Sequence, residues 1–563
     1  MQYLTISFLS FIFTVFLTQY IIRFLTNRNV VDHPNGESRK MHDVAVPRLG
    51  GVVIFFVVVI STFIFYQDFW SKKYFLIGAM IIFGIGVWDD LSPKKWYIKI
   101  VFQITAALFL ILSITAHNYS VITFGGYVLP AGLNYIIMLL LITGIINSFN
   151  LLDGLDGLVT GLTLIVAAMC FLLSFGNRYD LLPAFSSALV GSTLGFLKFN
   201  ANPAKIFLGD SGSLTLGYFV TGLLLIVSGD DYSVRTAANK EAFSVDLLFL
   251  IIVLAVPITD TLRVMFLRIR KQTNPFLADS IHIHHILYSK KIRHKTVVLM
   301  INTLTAGFAL LGVYYLSYSK LTAVIVFIIL LILLLFTEKI LDVVISKNNL
   351  LAFGRGFRLI PSFMPVMYKN FFVPALGICS SVLIAVLLIS EIEKYQTYNV
   401  YFLFFLVPSL IYSALNLMKR KYYVDILIFL NLIIFFVITG LSGIFYTMYS
   451  VPVITQINLN QIYIFIFTVM IIQFILFKER IINYNIQFLN GVDLSIALSI
   501  TFVFIMSHFL DISPVYKISD TLLRSFHLFL FFKIVIILYP KFHFTLHFAS
   551  FAIAILAVII TIF

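Results

Sequence analysis

The segment IIMLLLITGIINSFNLLDGLDGLVTGLTLIVAAMCFLL, residues 136–173, decides how the chain is read. Both of its ends are apolar, while residues 147–157 between them carry two aspartates, two asparagines and two glycines. A carboxylate beside lipid is costly and persists where it has a partner or a task. The rest of the chain shares this character. Of its 563 residues 60% are hydrophobic and only 11% charged, with a mean hydropathy of +1.02, whereas a soluble domain is about one quarter charged. Apolar runs of about 20 residues, enough to cross the ~30 Å hydrocarbon layer, recur along the whole length. Lipid offers backbone polar groups no partner, so these runs must be helices. The expected fold class is an all-α polytopic membrane protein.

Length and apolarity place about eleven spans before residue 345, roughly 3–25, 51–66, 73–88, 99–116, 134–146, 158–175, 180–198, 214–228, 245–266, 297–317 and 321–343. The first lacks a basic leader and a small-residue cleavage site, and reads as a retained helix rather than a signal peptide. Cys170 and Cys379 both fall in apolar runs, which argues against a disulfide framework or a zinc site. The net charge of +14 says little about nucleic acid, and no nucleic-acid partner is expected. Basic residues gather instead in alternate loops: one set holds Arg28, Arg39, Lys40, Arg48, Lys94, Lys95, Lys205, Arg268, Arg270, Lys271, Lys290, Lys291, Arg293 and Lys295, the other only Lys72, Lys73, Arg178, Arg235 and Lys240. The positive-inside rule makes the richer set cytoplasmic and puts the N-terminus outside.

Five polar stretches fall on that cytoplasmic side: RKMHDVAVPRLGG, WDDLSPKKW, NSFNLLDGLDGL, FLGDSGSLTLG and PFLADSIHIHHIL. Asp89 and Asp90 repel each other, so at least one needs a cation or a shared proton; taken alone, the pair reads more readily as a solvated helix end. Asp153 and Asp156 would share a face if helical, Gly154 and Gly157 admit a close ligand, and Asn147 and Asn150 both donate and accept. An Asx-rich turn is the plainer reading of the same residues. Asp210 precedes Ser211, Gly212 and Ser213 at a helix start, where an N-cap and a phosphate site look alike. His282, His284 and His285 do not share one helical face as zinc ligands would, and suit hydrogen bonding to a sugar or pyrophosphate. Clustered carboxylates suit magnesium, which binds through one or two acids plus substrate phosphates.

In their order along residues 1–345 these motifs resemble the polyprenyl-phosphate N-acetylhexosamine-1-phosphate transferase family. Lys40, His42, Pro47, Gly50 and Gly51 match K-x-H-x(4)-P-x-x-GG; Asp89–Asp90 match its DD pair, with Lys99 and Gln103 at further family positions. N-x-x-N-x-x-DG-x-DGL and F-x-GD-x-GS-x-x-LG occur in full. The resemblance implies a bacterial cytoplasmic-membrane enzyme that moves a sugar 1-phosphate from a UDP-sugar to undecaprenyl phosphate, releases UMP and so initiates a cell-surface glycan. It implies magnesium, for which manganese could substitute, with Asp210 as ligand and Asp153 organising the metal site. Asp89 and Asp90 would bind or deprotonate the lipid phosphate. Lys40, Asn150, Asp156 and Phe207 resemble the uridine pocket, joined by Asn147 and the three histidines as substrate contacts. The H-x-HH form of the histidine loop favours UDP-GlcNAc over another UDP-N-acetylhexosamine or UDP-MurNAc-pentapeptide. Pro93 and Ser280 stand where many relatives carry a carboxylate and an arginine.

Beyond this region a basic cytoplasmic linker, 346–370, leads to about seven further spans in 371–563 with no comparable motif. That region is expected to pack, to dock a protein of the same glycan pathway or to guide the lipid carrier, and a homodimer is compatible with it. The rival class is an ion-coupled transporter, which usually keeps its acids near the midplane within inverted repeats; here they lie at loop ends.

Overall fold

The computed structural model describes residues 2–28, 30–32, 45–66, 73–115, 121–130, 132–174, 181–229, 244–272, 282–290, 292, 294–336, 448–451, 454–458 and 502. The chain divides into two compact units, one of Gln2–Val343 with Gly491–Leu510, the other of Val344–Asn490 with Asp511–Phe563. In the second unit the described part is an antiparallel hairpin, Met448–Val451 with Ile454–Asn458. Lys40, Cys379, the linker 346–370 and the seven expected C-terminal spans lie outside the described residues.

The first unit contains α1 (Gln2–Asn27), α2 (Gly50–Phe65), α3 (Lys73–Leu91), α4 (Trp96–Thr115), α5 (Leu133–Leu152), α6 (Leu158–Leu173), α7 (Leu181–Asn200), α8 (Gly209–Gly229), α9 (Leu247–Val253), α10 (Ala255–Arg270), α11 (Ile283–Ser289), α12 (His294–Ser317) and α13 (Lys320–Leu335). Seven are long and apolar enough to cross a membrane, α9 and α10 meet the same test only as a pair bent by 87°, and α2, α6 and α13 are shorter apolar helices. Each of the eleven expected spans therefore overlaps a helix or, for the ninth, a helix pair; residues 337–343 of the last lie outside the described residues. Short strands add to the expected all-helical plan. β1 (Val31–Asp32) pairs with β2 (Val46–Pro47), and β3 (Val121–Phe124) pairs antiparallel with β4 (Tyr127–Val128) and parallel with β5 (Ser244–Asp246).

The ninth span differs from the continuous helix expected over 245–266. It breaks at Leu254, and α9 and α10 meet at 87°. Pro257 explains the position: it has no N–H for the carbonyl of Val253, and its ring would clash there. Val253 is where α9 stops.

Packing follows small residues. On α7, Gly191 and Gly195 form a G-x-x-x-G face against α1. A Cβ on Gly191 would overlap the carbonyl of Ser7, and one on Gly195 would lie 2.8 Å from that of Phe11. The hydroxyl of Thr14 donates to Ser192 across the same contact, 3.0 Å away. At the β3–β5 end, Asp246 is a polar hub. Its carboxylate accepts from the N–H groups of Gly125 and Leu248, at 3.0 and 3.1 Å, and from the hydroxyl of Tyr315 at 2.6 Å. At the centre stands α8, which touches α2 through α7 and also α9. Its apolar window is 94% buried, against 39% for α3, α4 and α5. The N-terminus of this central helix carries Gly209, Asp210 and Ser211.

Candidate active site

A helix begins with four backbone N–H groups that lack intrahelical partners. At α8 two of them are taken by a carboxylate from another helix: Asp90 accepts from Asp210 N–H at 2.8 Å and Ser211 N–H at 3.0 Å. The helix dipole favours a negative group there. Three glycines make the approach possible. Gly209 has φ +72°, and a Cβ on it would come 2.5 Å from the Asp90 carboxylate. A Cβ on Gly86, one turn before Asp90, would lie 2.6 Å from Cα of Ser211, and one on Gly51 would overlap the backbone of Gly212. The P-x-x-GG and F-x-GD motifs are hydrogen-bonded to each other. Phe207 N–H donates to Pro47 at 2.8 Å, Gly50 N–H to Phe207 at 3.0 Å and Gly51 N–H to Leu208 at 2.9 Å. Phe207 thus acts here through its backbone.

Asp89 faces differently from Asp90. It accepts from Lys94 N–H at 2.7 Å and from the Lys99 ammonium at 3.3 Å, and the same ammonium reaches Asp210 at 2.8 Å. Lys99, one turn into α4, therefore bridges two acids that the sequence separates widely. The three side chains retain 13–24% of their exposure, so solvent and ligands can reach them.

The NSFNLLDGLDGL stretch ends α5 and begins α6. Asn150 donates to the Ser213 hydroxyl at 3.0 Å and ties α5 to α8, while Asn147 is half-buried one turn earlier. Asp153 caps the end of α5. Burial pushes its carboxyl well above the usual carboxylate range, and Asp210, Asp90 and Asp156 push it the same way. Four acids from three motifs thus share one electrostatic neighbourhood. Asp156 accepts from the Asn202 amide at 2.9 Å and from Ala204 N–H at 3.1 Å. It fastens the loop that leads from α7 into α8, a structural task beside the nucleotide contact expected of it.

The histidines join this wall from the other side. A Cβ on Gly154 would overlap Nε2 of His284, so that ring rests on the backbone between Asp153 and Asp156. His282 and His284 are 3% and 1% exposed, and His285 is half-buried. His284 stacks between its neighbours, with ring centroids 5.8 Å from His282 and 4.3 Å from His285. Among the described residues neither of its nitrogens has a hydrogen-bond partner, and burial, then His285, push it down to about 3. Nδ1 of His282 donates to the Asp260 carboxylate, 2.8 Å away. Asp260 was not among the sequence-derived candidates, although an acid inside an apolar helix is a signal in itself.

Among the described residues no three His, Cys, Asp or Glu side chains converge as a complete metal cage. Magnesium does not need one, since it is commonly held by one or two carboxylates plus substrate phosphates. Burial first, and then the charges of Asp210, Asp90 and Asp156, disfavour ionised Asp153; a divalent cation would relieve that charge, and the carboxylate oxygens of Asp153 and Asp210 are the donor type magnesium takes.

The model of glycosyl transferase family 4 matches residues 73–228, the stretch from α3 through α8. A probable undecaprenyl-phosphate N-acetylglucosaminyl 1-phosphate transferase of Bacillus subtilis is 31% identical over 53% of this chain and 81% of its own length. An undecaprenyl-phosphate alpha-N-acetylglucosaminyl 1-phosphate transferase of Thermotoga maritima is 30% identical over 59% of this chain and 96% of its own. A phospho-N-acetylmuramoyl-pentapeptide-transferase of Lactobacillus gasseri is 34% identical over 38% and 74%. With its acid-capped central helix, and with Asp89, Asp90, Asp153, Asp156 and Asp210 inside the matched residues 73–228, the chain belongs to glycosyl transferase family 4, in the branch of the polyprenyl-phosphate N-acetylglucosamine-1-phosphate transferases.

Proposed function

We propose that the protein transfers N-acetylglucosamine 1-phosphate from UDP-N-acetylglucosamine to undecaprenyl phosphate and releases UMP, at the cytoplasmic face of a bacterial membrane with its N-terminus outside. The observation that carries this reading is the cluster of Asp89, Asp90, Asp153 and Asp210 at the N-terminus of α8, with Lys99 bridging Asp89 and Asp210. An oxygen of the lipid phosphate attacks the β-phosphorus of the donor. A P–O bond forms there as the bond from that phosphorus to the bridging oxygen breaks, and UMP leaves with the electron pair. Such transfer is largely positioning and charge neutralisation. Asp90 already commits its carboxylate to the α8 cap, so Asp89 is the acid that addresses the lipid phosphate. Lys99 offers a cation to the same phosphate. Bound through Asp153 and Asp210, magnesium or manganese would neutralise diphosphate charge. Asn147, Asn150 and the histidine segment border the donor side, with Lys40 assigned to the same pocket.

The sidedness rests on the lysine and arginine bias of the loops. The spans after residue 371 are assigned to docking a glycan-pathway protein or guiding the lipid carrier; truncation near residue 345 with full activity would exclude a catalytic need for them. The deciding experiment is radiolabel transfer to undecaprenyl phosphate in detergent, with and without magnesium, alongside Asp210→Asn. Metal-dependent label in the lipid phase, lost in the variant, is the expected result. Failure with UDP-N-acetylglucosamine, other UDP-N-acetylhexosamines and UDP-MurNAc-pentapeptide, on folded protein, would overturn the reading.

A further inference from the structure

The histidine segment is held by a residue outside every motif read from the sequence. Asp260 lies on α10, one turn past Pro257, and is 5% exposed. One carboxylate oxygen meets Nδ1 of His282 at 2.8 Å; the other accepts from Ile283 N–H at 2.8 Å and from Arg263 at 3.1 Å. Ile283 is the first residue of α11, a helix of seven residues. So short a helix has little stability of its own, and His282 supplies no side-chain cap to it. Asp260 supplies that cap from a distance and orients the preceding ring as well. A carboxylate on one imidazole nitrogen fixes which nitrogen carries the proton and leaves the other for a ligand. The stack from His282 to His284 then sets His284 against Gly154, between Asp153 and Asp156.

We propose that Asp260 is a positioning residue for the donor half of the site: by clamping His282 and the first amide of α11 it holds the histidine segment against the Asp153–Asp156 turn. The inference rests on the proposed transfer reaction for its kinetic consequence, but not for its geometry. The 87° break matters to it, because α10 leaves the line of α9 at Leu254 and carries Asp260 toward α11. Losing such an outer partner typically costs tenfold or more, and here the loss falls on one substrate.

The test uses the full chain in detergent, comparing wild type with Asp260→Asn and Asp260→Glu. With each substrate varied in turn, Asp260→Asn should raise KM for UDP-N-acetylglucosamine about tenfold. KM for undecaprenyl phosphate should stay within about twofold, and Asp260→Glu should recover part of the loss. A donor KM that does not change, or both KM values rising together with a lowered unfolding midpoint, would overturn the proposal. A second readout needs no turnover. Diethyl pyrocarbonate should modify His284 slowly in wild type and quickly in Asp260→Asn, read by peptide mass. Equal modification rates would overturn the clamp even if the enzyme is active. Faster modification in the variant supports the clamp even if no donor is turned over, a result that would count against the reaction alone.

Discussion

The carboxylate of Asp90 and the backbone amide of Asp210 lie 2.8 Å apart across 120 residues of sequence. This bond makes the end of α3 the cap of α8, so one acid of the DD pair is bound into the fold while Asp89 keeps its contact with Lys99. The two should therefore fail differently. Asp90→Ala strands two amides at the start of the central helix and should cost about 1–2 kcal/mol, with activity lost as well. Asp89→Asn should abolish transfer while leaving the unfolding midpoint near that of wild type, because the amide oxygen can still accept from Lys94. Thermal unfolding in detergent beside a transfer assay separates the two; equal destabilisation would contradict this division.

Gly154→Ala should reduce activity through steric displacement of His284, since the new methyl would occupy the space of Nε2. Shortening the opposing ring makes room, so Gly154→Ala with His284→Ala should be less impaired than the product of the single effects. A double-mutant cycle on kcat/KM measures that coupling. Strict additivity would mean that the two residues do not meet.

Tyr315→Phe removes one hydroxyl from the buried Asp246 hub, far from the motifs in sequence. A bond to a charged acceptor contributes about 1.5–3 kcal/mol. The expected outcome is a lower unfolding midpoint with both KM values unchanged. A changed donor KM would tie this hub to the active site.

His284 gives stability a pH dependence of defined sign. In the folded chain it is held neutral down to about 3, whereas the unfolded imidazole titrates near 6.5. Below 6.5 the unfolded state thus binds a proton that the folded state refuses, and stability falls as pH drops from 6.5 toward 3. His285, Asp260, His282 and His294 surround the ring, so the comparison must isolate its own titration. Between pH 6 and 5, His284→Leu should lose less stability than wild type, by up to about 1.4 kcal/mol per pH unit. Matching slopes would show that His284 takes up its proton without unfolding.

The helices were legible because lipid imposes a blunt rule on length and apolarity; one stands at each of the eleven positions, or a pair at the ninth, and seven are long enough to cross as single helices. The convergence of motifs was legible too, since loop charge alone put the acids on one side. What stayed hidden was pairing. Nothing local in ITDT says that Asp260 will meet His282, 22 residues later. Nor does FLGD announce that its amides are capped by a distant acid. Asp156 was read as a ligand contact, whereas its observed bonds run to Asn202 and Ala204; both uses suit the same carboxylate. Pro257 was a local signal for the broken ninth span, but its length and apolarity read as one continuous helix.

The distance along the chain between Asp90 and its amide partners also bears on birth as well as function. A ribosome adds roughly 5–20 residues per second, so α3 reaches the membrane several seconds before the first turn of α8 exists. During that interval the DD pair has no cap, and neither Asp210 nor its shared ammonium bridge is present. Until α8 is made, the nascent chain therefore lacks a complete acid cluster. The donor side is completed later still, once Asp260 on α10 and the histidines at the start of α11 have been made.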